Sequence, residues 1–159
     1  MLAVFKQIVS LLLLVLTVSC CSAESVAPDR YGVGPLSKAI ADYVIPHPGM
    51  TEADRENNEA VVQEVERLIR AGAKVNHQRP DTGATPLHEA VLYNSPELVR
   101  VLLDAGARLD IEDTSAEARE AGVGNLAPLE YARFVQRKIP NRDYSEVIGI
   151  LARAKRNRQ

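Results

Sequence analysis

Apolar positions follow two kinds of pattern along this chain. Residues 8–18 are apolar apart from Ser10 and Thr17, and Lys6 is the only charged side chain before Glu24. Further on, apolar residues recur at helical spacing instead. Leu98, Val99, Leu102 and Leu103 share one helical face, as do Leu87, Ala90 and Val91. Polar punctuation brackets each set. Thr85 stands where a helix cap belongs, and Pro86 then occupies a first-turn position whose N–H would lack a partner anyway. Asn94 tolerates the left-handed conformation that ends a helix. Ser95, Pro96 and Glu97 supply the next cap, first position and dipole-matched acid, and Gly106 ends that helix. The pattern predicts two short helices separated by a tight turn.

The same arrangement recurs on either side. Pro35-Leu36-Ser37-Lys38-Ala39-Ile40 repeats the opening, and residues 65–76 repeat the close up to Gly72-Ala73. From Pro35 to Gly72 there are 37 positions, against 20 from Pro86 to Gly106, so about 17 residues are inserted. The insertion carries Ile45-Pro46-His47-Pro48-Gly49, a loop by its Pro and Gly content. Thr51-Glu52-Ala53-Asp54 follows it with a helix-start signature, which predicts one long helix over 52–71. Downstream, Ala127-Pro128-Leu129-Glu130-Tyr131-Ala132 repeats the opening, and residues 147–154 repeat the close with Ala154 in place of Gly. About six extra residues lie around 139–141, and about nine lengthen the segment 114–125.

Residues 83–110, with Thr85-Pro86-Leu87-His88-Glu89-Ala90 and Val99 to Ala107, resemble one complete ankyrin repeat. The resemblance implies an all-α ankyrin-repeat solenoid of about three helix-turn-helix repeats with hairpin-like finger loops. The repeats are expected at about 33–76, 82–113 and 126–155 within a domain of 33–159, with insertions in the first and last. Three is the smallest number from which such a stack is expected to hold, and atypical outer repeats suit a capping role. The resemblance further implies hydrogen bonds from His88 between neighbouring turns, and protein binding through finger tips and the exposed ends of first helices. Carried over by position, the partner-binding candidates are Gln78, Arg79 and Asp81 on one finger, Glu112 and Asp113 on the next, Leu92 and Tyr93 in the middle repeat, and Phe134 with Val135 in the third. For Leu92 and Phe134 the alternative is core between repeats.

Composition narrows the chemistry. The formal net charge of −2 offers no global attraction for nucleic acid. Apolar residues make up 46% of the chain but aromatics only 4%, so the core must be aliphatic. Cys20 and Cys21 are the only cysteines, which excludes disulfides, zinc–thiolate sites and cysteine nucleophiles from the repeats. His47 and His77 have no partners at metal-ligand spacing. No Gly-x-Ser-x-Gly, phosphate loop or dinucleotide fingerprint occurs, and acidic runs such as residues 110–113 more often mark solvated faces than acid–base sites or calcium loops. No catalysis, metal or cofactor is expected. The basic tail from Arg153 suits a helix C-terminus, with contact to membrane phosphates as the alternative.

The leader pattern, a lone Lys followed by a short apolar run, predicts a signal peptide over 1–19 and then a linker over 20–32. Ser19-Cys20 after the run resembles a bacterial lipobox, which implies lipidation at Cys20, with Cys21 as the alternative; ordinary cleavage after Ala23 is the rival. The expectation is therefore a monomeric periplasmic protein, anchored by lipid to the outer membrane and holding one protein partner. Some immunity proteins that neutralise secreted effectors, such as a type VI lipase, resemble it in export and repeat architecture. A scaffold or chaperone protecting an envelope enzyme, or a structural outer-membrane lipoprotein, are the alternatives.

Overall fold

The computed structural model describes residues 27–114 and 125–158. The leader, Cys20 and Cys21, and most of the lengthened segment 114–125 lie outside the described residues. Six helices are present among the described residues: α1 (Pro35–Ala41), α2 (Glu52–Arg70), α3 (Pro86–Leu92), α4 (Pro96–Asp104), α5 (Pro128–Lys138) and α6 (Ser145–Asn157). They form the three expected pairs. Within each pair the two helices pack together, and between pairs α1, α3 and α5 make one row while α2, α4 and α6 make a second.

Local chemistry accounts for the helix ends. Thr51 and Asp54 close a reciprocal capping box on α2, with the Asp54 N–H donating to Thr51 Oγ1 at 3.2 Å and the Thr51 N–H to Asp54 Oδ2 at 2.8 Å. Ser95 Oγ accepts from the Leu98 N–H at 3.2 Å. Pro opens α1, α3, α4 and α5. Asn94 ends α3 at φ 53°, where Gly72 and Gly106 end α2 and α4 at 93° and 87°. The long helix over 52–71 is present as α2, one residue shorter than expected.

The core is aliphatic and continuous through the stack. Leu36, Ile40 and Val65 of the first pair meet Leu87, Val91, Leu98 and Leu102 of the second, all at 1% exposure or less. Each such side chain contributes about 1.5–3 kcal/mol by leaving water. Ala90 and Ala132 are fully buried, and their small side chains let the inner helices approach.

Three features depart from expectation. Residues 29–32, expected in the linker, form a finger together with Val33. The Asp29 N–H donates to Val33 O and the Gly32 N–H to Asp29 O, as the Arg79 N–H donates to Ala84 O and the Gly83 N–H to Arg79 O one repeat later. Without a glycine at 154, α6 runs on to Asn157 instead of stopping. This brings Arg158 over the end of α4, where its guanidinium donates to Leu103 O at 3.1 Å and Ala107 O at 2.7 Å. The basic tail thus caps a neighbouring helix as well as its own. The fingers form no strand among the described residues, only an isolated antiparallel bridge between Asp113 and Leu126.

Candidate partner-binding surfaces

The fingers are tied to one another by side chains that reach backbone. Asn76 donates to Gly106 O at 3.3 Å and accepts from the Arg108 N–H at 2.8 Å, and Gln78 donates to Gly83 O at 3.0 Å and more weakly to Glu112 O. Thr114 closes the same seam on Thr82 O. His77 binds Gly32 O at 2.7 Å, and its ring lies so close to Gly34 that a Cβ there would sit 2.8 Å from Cδ2.

His88 does the corresponding work inside. It is 1% exposed, and its Nδ1 accepts from the Thr85 N–H at 3.2 Å. A backbone N–H only donates, so Nδ1 carries no proton, and Nε2–H donates to Leu126 O at 3.0 Å. Burial holds the ring's pKa below its ordinary value of 6.5, which keeps it neutral and in this tautomer. The expected bond between neighbouring turns is therefore present.

The sequence-chosen binding residues fall into three groups. Gln78, Asp81 and Glu112 are exposed on the fingers. Arg79 is half-buried, forked onto Asp81 at 2.7 and 3.0 Å and reaching Glu89 at 3.4 Å, so it braces finger against helix. Its guanidinium pulls the Asp81 carboxyl down to about 2. Burial raises Glu89 above the ordinary carboxyl range, with Ser37 and Arg79 opposing the rise. Asp113 is the correction: it is 2% exposed, because its backbone and carboxylate pair with Leu126 N–H and O and leave no surface for a partner. Along the inner helices, Leu92 is 41% exposed. Phe134 is half-buried under Lys138, whose Nζ lies 5.6 Å from the ring centre, while Val135 is buried. Tyr93, read as surface, is half-buried against the core with its hydroxyl 3.4 Å from Ala41 O, so it belongs partly to the joint between the first two repeats.

On the opposite edge, where first helices turn into second ones, the sequence offered the inserted loop after Val44 as a second candidate surface, with recognition or capping of the stack left open as its role. Here the insertion of the first repeat meets the start of α4 and the turn of the third. An open groove of about 700 Å³ runs between Tyr43, Pro46 and Met50 on one side, Arg55, Asn58, Glu59, Val62 and Gln63 on α2, and Asn94, Pro96, Glu97, Asp143 and Glu146 beyond. Asn58 shapes its wall by pairing with both the N–H and the C=O of Val44, at 2.8 and 2.9 Å. His47 stays in the loop, its Nδ1 accepting from the Gly49 N–H at 3.1 Å. The signal for this groove was the 17-residue excess before Gly72, whose length was legible but whose placement was not. Among the described residues no three His, Cys, Asp or Glu are grouped as ligands to a metal would be.

Against known families, the model described as "Ankyrin repeats (3 copies)" matches residues 50–114, which hold α2, α3 and α4. The stack is an ankyrin-repeat solenoid. Outside the match, α1 before it and α5 and α6 after it each pack on the middle pair as the matched helices pack on one another. An E3 ubiquitin-protein ligase, KEG of Arabidopsis thaliana, is 40% identical over 84 residues, which is 52% of this chain and 5% of that protein. The similarity therefore concerns the repeats. Ankyrin repeats are generally non-catalytic protein-interaction modules, and their presence indicates a protein-binding module. No helix among the described residues is long and apolar enough to cross a membrane.

Proposed function

We propose that this chain is an exported, non-catalytic binder that holds one protein partner in the bacterial periplasm, anchored to the outer membrane through Cys20, and that the partner is a secreted toxic effector such as a type VI lipase. The ankyrin solenoid carries the binding part of this reading. Its inner helices end in an exposed Leu92, with Phe134 half-buried one repeat on, beside fingers that present Gln78, Asp81 and Glu112. Apolar anchors with a polar surround are what a protein interface needs at its centre and rim. Support for the periplasm comes from the leader, whose apolar run is about half the length of a bilayer span and is followed by Ser19-Cys20.

Two experiments test the parts separately. Cells expressing the chain with Cys20→Ala should release it from the membrane fraction; wild-type protein found soluble with Glu24 as first residue would remove the lipoprotein. Co-purification from envelope extracts should yield one stoichiometric protein, lost on Leu92→Asp. Cell-wall fragments in its place would favour a structural lipoprotein, and a housekeeping envelope enzyme would favour a scaffold. A toxin gene beside this one, and survival of cells that express both, would mark the immunity role.

A further inference from the structure

The groove on the turn edge arises from a mismatch in helix lengths. Superposing Gly72 on Gly106 places Val62 level with Pro96, the first residue of α4. Helix α2 begins ten positions earlier, at Glu52. Roughly 15 Å of α2 therefore overhangs the start of its neighbour, at 1.5 Å per residue. The overhang turns Arg55, Asn58, Glu59 and Val62 to the empty space, an i, i+3, i+4, i+7 set that forms one helical face. Lower down, α2 packs on α4. Above Pro96 it has no such neighbour among the described residues.

The floor of this space is apolar. Tyr43 is buried there, and Pro46, Met50, Val62 and Pro96 line it. Met50 is a side chain that adapts to an irregular guest. The charge is one-sided. Arg55 is engaged by Glu52 at 2.8 Å, and Glu146 by Arg100 at 2.6 Å. Glu59, Glu97 and Asp143, one from each repeat, take no cation among the described residues. Glu97 meets the Ser95 hydroxyl, at 3.4 Å, and the Tyr43 hydroxyl, and Asp143 meets the Ser145 N–H, at 2.8 Å, and the Ser145 hydroxyl, all of them uncharged groups. These acids are not gathered as metal ligands would be. They repel nucleic acid and anionic lipid, and a groove with low-dielectric walls focuses their field on an incoming cation.

We propose that this groove docks a cationic segment of the protein partner, about ten residues long on the helical rise of α2, with Arg or Lys set against the three acids and an apolar side chain seated on Met50 and Val62. The proposal rests on the reading of the chain as a protein binder, but uses a surface separate from the fingers and inner helix ends.

The probe is a labelled peptide of about ten residues, Ala-based with Leu and Arg at i, i+3, i+4 and i+7, and the control is a peptide of equal length with Glu in place of each Arg. Fluorescence anisotropy with the purified full chain should show saturable binding of the Arg peptide that weakens with added salt, and none of the Glu peptide. The triple variant Glu59→Gln, Glu97→Gln, Asp143→Asn should bind at least tenfold more weakly. Glu59→Lys alone, at an exposed position without a partner, should lose at least threefold and keep the thermal midpoint. The Met50 methyl resonance should shift on titration. Equal binding by the triple variant, equal binding of the Glu peptide, or no saturable binding at low salt would overturn the assignment. If the peptide fails while the native partner binds and is lost on Leu92→Asp, the groove is wrong and the binder reading stands. If the peptide binds at Met50 while no envelope protein is captured, the groove stands and the envelope partner fails.

Discussion

Along the finger edge, neighbouring repeats are joined by side chains that reach backbone across the seam: Asn76 to Gly106 and Arg108, Gln78 to Glu112, His88 to Leu126. Along the turn edge the joints are tyrosines and inserted residues. Tyr144 is fully buried with its hydroxyl on Leu92 O at 3.1 Å, Tyr93 reaches Ala41 O, and Asn94 donates to Asp143 O at 2.9 Å. The finger seams are made by residues at the repeat's own positions. The turn edge follows the insertions, and this is where the chain acquires a groove that its repeat pattern does not contain. Regularity keeps the stack together; irregularity supplies surface that differs from other stacks.

Four measurements would break or sharpen this contrast. Tyr144→Ala should have the largest effect, a loss of about 3–5 kcal/mol for deleting a fully buried aromatic. Because repeat stacks are stabilised by nearest neighbours, amide exchange should rise first in α5 and α6 while α1 and α2 stay protected. Uniform loss of protection would show the stack to be a single cooperative unit. Tyr144→Phe separates ring from hydroxyl and should cost about 1 kcal/mol. On the finger edge, His88→Ala strands the Thr85 N–H and Leu126 O, and a chemical denaturation curve should register roughly 2–4 kcal/mol. A smaller loss than Tyr144→Phe would mean that water replaces the ring and that the finger seam is the weaker joint.

Asn94→Ala places a side chain that lacks Asn's local hydrogen bonding at φ 53° and should cost roughly 1–2 kcal/mol. Asn94→Gly loses the same bond to Asp143 O without the strain, so it should be clearly more stable than the alanine variant in the same melt. Equal losses would assign the whole effect to the bond across the turn edge.

The smallest effect is pH dependence, and two groups on the finger side oppose each other. His88 is held below its ordinary 6.5, so the unfolded chain takes up the proton first on acidification. Its contribution is complete above 6.5 and is lost as pH falls toward the folded value. Glu89 is raised above its ordinary 4.5, so its contribution is present in acid and is lost as pH rises through the folded value. His88→Asn should therefore flatten the loss of stability below pH 6.5, and Glu89→Gln should steepen it. No change in either slope would contradict the burial that sets both shifts.

Much of this was readable beforehand because its causes are local. A threonine, serine or asparagine beside a proline decides a helix end within four residues, and the face formed by Leu98, Val99, Leu102 and Leu103 is visible in a seven-residue window. The binding residues were read less well. Asp113 sits in an acidic run that looks solvated, and its burial depends on Leu126, thirteen positions away across the lengthened segment. Tyr93 was placed on the surface because its own helix leaves it there, but the first repeat comes up beside it.

The chain's own order of residues determined the three helix pairs, their caps and the aliphatic faces that seal them, since periodicity and capping act over a turn or two of backbone. The tertiary structure alone decided which helix starts level with which, that Arg158 caps α4, and that Glu59, Glu97 and Asp143 face one space. Those outcomes depend on how inserted lengths add up across repeats, and on through-space contacts between residues dozens of positions apart, which no local pattern encodes.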